Sequence, residues 1–261
     1  MPARAARGLL TTCSETTMAT TTVLALHGHF QNAAMYSKKL GALRKHCEKS
    51  VEFVFIDAPN VLQPVDMAGA TSTEALEASA TGGDARAWFN FDDSRNEAVG
   101  LPQSLETLRD VLKTRHFDGV IGFSQGAVVA GLLTALLERP EVYPDFLVDG
   151  KPPHPPFKFC IAVAGFRLRG AIGDAVYSQM YKTPTLHVLG RNDIIVIEER
   201  SRTLIAVSEN ARVEQHDGGH FLPSKTSWRK FVAAYIADPT GPVVSPSVSV
   251  SADNSGVVSP A

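Results

Sequence analysis

The chain reads as an α/β protein: a mostly parallel central sheet with helices on both faces. Six short apolar, β-rich runs recur along it, at residues 23–26, 51–56, 119–122, 159–163, 185–189 and 212–215, with helix-compatible stretches between most of them. The runs are nearly continuous in hydrophobicity rather than alternating, as strands are when helices cover both sheet faces. A Gly-x-Ser-x-Gly pentapeptide, Gly122-Phe123-Ser124-Gln125-Gly126, lies between the third run and a longer apolar stretch at 127–137, where a strand should turn sharply into a helix.

In open parallel sheets ligands bind beyond the carboxyl ends of strands, so the residues just after each run take the functional question first. After the first run comes a glycine-bearing loop, Leu26-His27-Gly28-His29-Phe30-Gln31-Asn32, and after the second comes Asp57. Residues 60–103 are the least regular part of the expected domain, with small residues around 69–83 followed by Trp88, Phe89 and Phe91. This stretch is expected to be either a lid or acyl-pocket wall, or an insertion whose aromatics tuck against the core. Leu105, Leu108 and Leu112 follow the spacing of a core-facing helix. The fourth run holds Cys160, read as a buried strand residue, the fifth precedes Asp193, and the sixth precedes His216 and His220.

The globular domain is expected over residues 21–238. Residues 239–261, a Pro/Ser/Val/Gly stretch without helical period, are expected to be a disordered tail. Residues 1–20 are rich in Thr, Ser and Ala, carry Arg4 and Arg7, and have no acid before Glu15. They read as a disordered extension, with Met18 as an alternative start, or as a mitochondrial-type presequence.

Composition narrows the partners. At 261 residues with a formal net charge of -2 and both signs interspersed, the chain has no footprint for nucleic acid or an anionic membrane. Its longest apolar stretch, 127–137, is too short to span a bilayer. Three cysteines, Cys13, Cys47 and Cys160, are an odd number without metal-type spacing, which points to a reducing compartment. The cytoplasm is therefore the expected location, with the mitochondrion as the alternative. Neither a Gly-x-Gly-x-x-Gly loop nor a Walker lysine pattern is present, so no cofactor is expected. His27 and His29 lack a third ligand at suitable spacing and read as structural or pocket-lining, so no metal is expected.

The chemistry starts at Ser124. The glycines at 122 and 126 relieve crowding in a turn that pushes the serine out of the sheet, at a helix N-terminus where the amide of Gln125 can face a developing oxyanion. A serine hydroxyl needs a base, and the base needs an acid that fixes its tautomer. His220, in Asp217-Gly218-Gly219-His220-Phe221, follows the last run and precedes an expected helix; His216 is its rival. Asp193, in the loop after the fifth run, is the expected acid, with Asp217 second and a plain turn or N-cap role as the bland alternative. The second oxyanion amide should come from the loop after the first run, from His29 or Phe30, with His29 preferred. Trp88, Phe89, Phe166 and Phe221 are available to line a pocket for an apolar group.

These segments resemble the FSH family of serine hydrolases, α/β-hydrolases found in fungi and other eukaryotes. The resemblance covers about residues 20–237 and is carried by Leu26-His27-Gly28 with Gln31-Asn32, by Asp57-Ala58-Pro59, and by the stretch from Phe117 through Ala127. It continues in Pro184-Thr185-Leu186-His187-Val188-Leu189-Gly190 with Asp193, and in Gly218-Gly219-His220-Phe221-Leu222-Pro223. It implies an α/β-hydrolase fold with Ser124 as nucleophile, Asp193 as acid and His220 as base. It also implies hydrolysis of a carboxylic ester or thioester, and some fungal members release acyl chains from polyketide synthases. The expectation is thus a serine esterase or thioesterase acting on a small to medium apolar acyl substrate. A hydrolase-like fold that binds a small ligand without turnover is the competing expectation, and the intact Ser, Asp and His set counts against it.

Overall fold

In the computed structural model the described residues are 20–63 and 84–246. All six apolar runs form strands of one sheet. They are β1 (Thr21–Leu26), β2 (Val51–Ile56), β7 (Gly119–Phe123), β8 (Phe159–Val163), β9 (Thr185–Gly190) and β10 (Ala211–His216), ordered β10-β9-β8-β7-β1-β2. Every neighbouring pair is parallel, with Leu26 opposite both Ile56 and Gly122, and Phe123 opposite Val163. The chain reverses direction across the sheet between β1 and β7, which brings the loops after both strands to the same carboxyl edge.

Alternate strand residues feed two apolar layers. Leu24, Leu26 and Val120 face one with α3 (Leu101–Thr114) and α4 (Gln125–Glu138); Val23, Ala25, Ile121 and Phe123 face the other with Trp228, Phe231 and Tyr235 of α7 (Thr226–Ala237). The second layer also takes Tyr36 of α1 (Ala33–Lys39) and Leu43 of α2 (Gly41–Cys47). In α3 the buried positions Leu101, Leu105, Leu108 and Leu112 give a single apolar stripe. Helix α4 is different, being buried from Gln125 to Leu137, because β1, β7 and β8 lie beneath it and α5 (Ala171–Val176) packs beside it. That accounts for an apolar run with no polar face. Cys160 is buried in β8 as the sequence predicts.

In the irregular stretch two antiparallel strand pairs form, β3 (Asn60–Val61) with β4 (Arg86–Ala87), and β5 (Asn90–Asp92) with β6 (Glu97–Val99). The 69–83 portion lies outside the described residues. Asn60 Nδ2 ties the stretch together by donating to the carbonyls of Ala87, Trp88 and Gly100. At the other end the chain stays on the body further than predicted. Arg212 donates to the Val243 carbonyl at 2.6 Å and Ser245 Oγ to Glu214 at 2.6 Å, so the expected tail begins as a segment docked on β10 rather than at residue 239. Among the described residues no helix is long and apolar enough to cross a membrane.

Candidate active site

Ser124 sits between β7 and α4 with φ 51° and ψ −118°, while Gly122, Phe123 and Gln125 around it are buried and the serine itself is half-buried. An L residue held at positive φ costs on the order of 1–3 kcal/mol, and the surroundings enforce it here. The Ser124 amide donates to the Val163 carbonyl at 2.8 Å, and its carbonyl accepts the first amides of α4 from Ala127 and Val128. The flanking glycines are required by close approach. A Cβ on Gly122 would lie 2.2 Å from the Gly126 carbonyl oxygen, and one on Gly126 would lie 2.2 Å from that of Leu26. Only a bare backbone lets β1, β7 and α4 converge this tightly.

Two loops from the far half of the sheet meet beside this turn. The loop after β9 and the loop after β10 are joined by Arg191 N to the His216 carbonyl at 2.9 Å, Asn192 N to Gly218 O at 3.1 Å, and Asn192 Nδ2 to Asp217 O at 2.6 Å. So clamped, they bring His220 Nδ1 within 2.7 Å of Asp193 Oδ2. The other Asp193 oxygen accepts the amides of Ile195 at 2.9 Å and Val196 at 2.8 Å, and the carboxylate is almost sealed from solvent. Burial alone would raise the Asp193 carboxyl, but the hydrogen bonds from His220 and from the two amides hold it below the ordinary carboxylate value. The His220 ring lies 4.7 Å, centroid to centroid, from that of Phe123, the residue before the serine.

The rivals are occupied elsewhere. His216 Nδ1 accepts the Gly218 amide at 3.1 Å and its ring packs edge-on to Trp228, so it supports the His220 loop from beneath. Asp217 is exposed and paired with Arg191 at 2.7 Å.

Around the turn a second network fixes the loops of the near half. Gln125 reaches out of α4, its Oε1 accepting the Trp88 amide at 2.7 Å and its Nε2 donating to the Phe89 carbonyl at 2.6 Å. Trp88 Nε1 donates to the His27 carbonyl at 2.8 Å. His27 is fully buried, with Nε2 accepting the Ala58 amide at 3.0 Å, an arrangement that needs the neutral ring; burial lowers its pKa to about 4. Asp57 accepts the Ala33 amide at 2.7 Å, and Asn32 caps α1 through the Met35 amide at 2.9 Å. The two segments therefore hold the first loop in shape.

This network corrects two expectations. The Phe30 amide donates to the Arg86 carbonyl at 3.0 Å, with Phe30 itself at φ 64°, so it is committed to the bridge with the 86–87 strand and is not an oxyanion donor. Gln125 occupies the first position of α4, where helix amides lack intrahelical partners. Trp88 is wholly buried and, among the described residues, lines neither of the clefts below; it serves as a pin under the first loop. Phe89 and Phe166 do line a cleft, of about 430 Å³, and Phe221 lines a smaller one of about 170 Å³ with Tyr36, Phe123 and His220.

With this geometry in hand, similarity to known proteins is decisive for the family. A family model described as serine hydrolase (FSH1) matches residues 16–232. The chain belongs to this serine hydrolase family. Among curated relatives, esterase OVCA2 of Danio rerio is 35% identical over 220 residues, covering 80% of this chain and 92% of its own length. Esterase CG5412 of Drosophila melanogaster is 31% identical over 217 residues, covering 83% of this chain and 73% of its own. The fold is also that of Zea mays acyl-protein thioesterase 2, with a TM-score of 0.55 at 20% identity over 84% of this chain and 94% of that one.

As an FSH-type serine hydrolase, the chain carries one feature that the pentapeptide hides. The residue after the serine is usually considered for its backbone amide; here the Gln125 side chain also fixes the 88–89 segment. Its signal in the sequence was a buried-position glutamine inside an otherwise apolar helix, a polar group that must find partners.

Proposed function

We propose that this serine hydrolase cleaves carboxylic esters or thioesters of small to medium apolar acyl groups by an acyl-enzyme route. Ser124 Oγ attacks the acyl carbonyl while His220 Nε2 takes its proton; the same nitrogen then returns that proton to the leaving alcohol or thiol. Water enters next, His220 accepts its proton, and the acid is released with Ser124 restored. Asp193 holds the imidazole in the tautomer that leaves Nε2 free to accept and stabilises the cation formed in each half-reaction. The amides of Gln125 and His29 hold the oxyanion; such a donor is worth roughly a hundred- to a thousandfold in rate.

The reading rests above all on the 2.7 Å hydrogen bond from His220 Nδ1 to a buried Asp193 carboxylate beside a serine held at positive φ. The names of the esterase relatives agree with it. The apolar walls at Phe89, Phe166 and Phe221 favour an acyl chain. The cytoplasm is the proposed location, in keeping with free, buried Cys47 and Cys160.

The test is labelling of wild-type and Ser124→Ala protein with a fluorophosphonate, followed by hydrolysis of p-nitrophenyl and CoA esters of graded chain length. Labelling that disappears in Ser124→Ala is expected, with a chain-length optimum set by the clefts. Folded wild-type protein that neither labels nor turns over any ester would overturn the proposal in favour of ligand binding without catalysis.

A further inference from the structure

The larger cleft is not purely apolar. Its aromatic wall of Phe89, Phe91 and Phe166 is overlaid by guanidinium groups: Arg200 stands 3.5 Å above the Phe166 ring and Arg169 stands 4.2 Å above Phe91. Arg169 is paired with Asp93 at 2.6 Å, and Arg167, on the same rim, with Asp174 at 2.7 Å. Arg200 differs. Among the described residues no carboxylate pairs with it, and Arg169 sets a like charge against it. With Arg169 matched by Asp93 on the same rim, Arg200 is the guanidinium left to take an anion, and the planar fork of arginine matches a carboxylate or phosphate.

The cleft's walls are tied to the segments that hold the serine. Phe89 accepts from Gln125, the residue after Ser124, and Phe166 lies three residues beyond Val163, whose carbonyl anchors the Ser124 amide. Arg200 comes from α6 (Glu198–Ile205), the helix that follows the Asp193 loop. A substrate with its carbonyl at Ser124 that ran along this aromatic wall would meet the arginines at its far end.

We propose that this cleft recognises an anionic oxygen group, carboxylate or phosphate, carried on the ester or thioester substrate, with Arg200 as the specificity-determining residue. The inference rests on the serine-hydrolase reading and adds charge to its substrate class. The anion lies either on the acyl side, as a terminal carboxylate, or on the leaving-group side, as a phosphate of a pantetheine-type thiol.

Two substrate pairs separate these sources: p-nitrophenyl valerate against the mono-p-nitrophenyl ester of glutaric acid, and butyryl-N-acetylcysteamine against butyryl-CoA. For the pair whose anion the cleft holds, the ratio of kcat/KM for the charged over the neutral member is expected to fall about ten- to a hundredfold in Arg200→Met, the range of a hydrogen bond to a charged group. Arg200→Lys, which keeps the charge but loses the fork, is expected to fall less, and it carries the test if Arg200→Met fails to fold by thermal melting. Ratios within about twofold of wild type in both pairs would overturn the inference.

A readout free of turnover keeps it apart from the catalytic reading. NMR titration of Ser124→Ala protein with glutarate and with CoA is expected to show saturable shifts for one of them, lost when Arg200→Met is added. That result would uphold the anion site even in a protein that hydrolyses nothing; no saturable binding of either ligand by an inactive protein would overturn it.

Discussion

Replacing Asp193 by Asn is the most discriminating single change, because the backbone dictates how the new amide must sit. In the native chain one carboxylate oxygen accepts the amides of Ile195 and Val196 and the other accepts His220 Nδ1–H at 2.7 Å. In Asp193→Asn the two amides can be satisfied only by the carbonyl oxygen, so the NH2 group is turned toward His220. The histidine must then accept at Nδ1 and carry its proton on Nε2, the tautomer that cannot take a proton from Ser124. Loss of the correct tautomer, with no carboxylate to balance the imidazolium, is expected to lower kcat/KM roughly 10⁴-fold, or about 5 kcal/mol of transition-state stabilisation. The two amide hydrogen bonds survive, so the protein is expected to fold. The assay is steady-state hydrolysis of p-nitrophenyl butyrate with a thermal melt on the same preparation, and Asp217→Asn as the comparison. A folded Asp193→Asn protein retaining more than about a tenth of wild-type activity, or an Asp217→Asn protein that loses more, would refute the assignment.

Other outcomes follow from the same contacts. Ser124→Gly is expected to melt higher than Ser124→Ala, by about 1 kcal/mol or roughly 2–4 °C, because both remove the proposed nucleophile but only glycine accepts φ 51° without strain; equal melting temperatures would argue against strain at the turn. Gln125→Ala leaves the Trp88 amide and the Phe89 carbonyl without partners and is expected to destabilise by about 2–4 kcal/mol in urea unfolding. Gly126→Ala places a Cβ 2.2 Å from the Leu26 carbonyl oxygen and is expected to yield no soluble folded protein. The acid limb of stability tests the buried histidines. Burial lowers His27 and His187 to about 4, so the unfolded chain binds more protons, and stability is expected to drop as pH falls from about 6.5 to 4 by roughly 3 kcal/mol per histidine. His187→Leu should remove about half of that slope, measured by thermal melts across the interval; an unchanged slope would refute a neutral, buried His187.

Much of the fold was legible because parallel strands covered on both faces must be apolar throughout, and the six runs said so. Ser124 was legible for a related reason: a turn this crowded admits only glycine on either side of it, so a five-residue pattern carries three-dimensional information. His220 and Asp193 were found from their places after particular strands, and the structure joins them. The strand order was not readable, since β1 lies between β2 and β7 through contacts that no local pattern encodes.

What the sequence alone determined, then, are features whose physics is local: strand runs buried on both faces, a strained elbow that demands glycine, and candidate catalytic side chains placed just past strand ends. What only the tertiary structure decided depends on partners distant in the chain. The Phe30 amide is consumed by Arg86, the Gln125 side chain by residues 88 and 89, and Trp88 by the His27 carbonyl. Arg200 likewise becomes a candidate anion ligand only where three separate segments converge on one cleft. Hydrogen bonds and charges act over a few ångströms of space regardless of separation along the chain, so which groups they use up or leave available is settled only when the chain has folded.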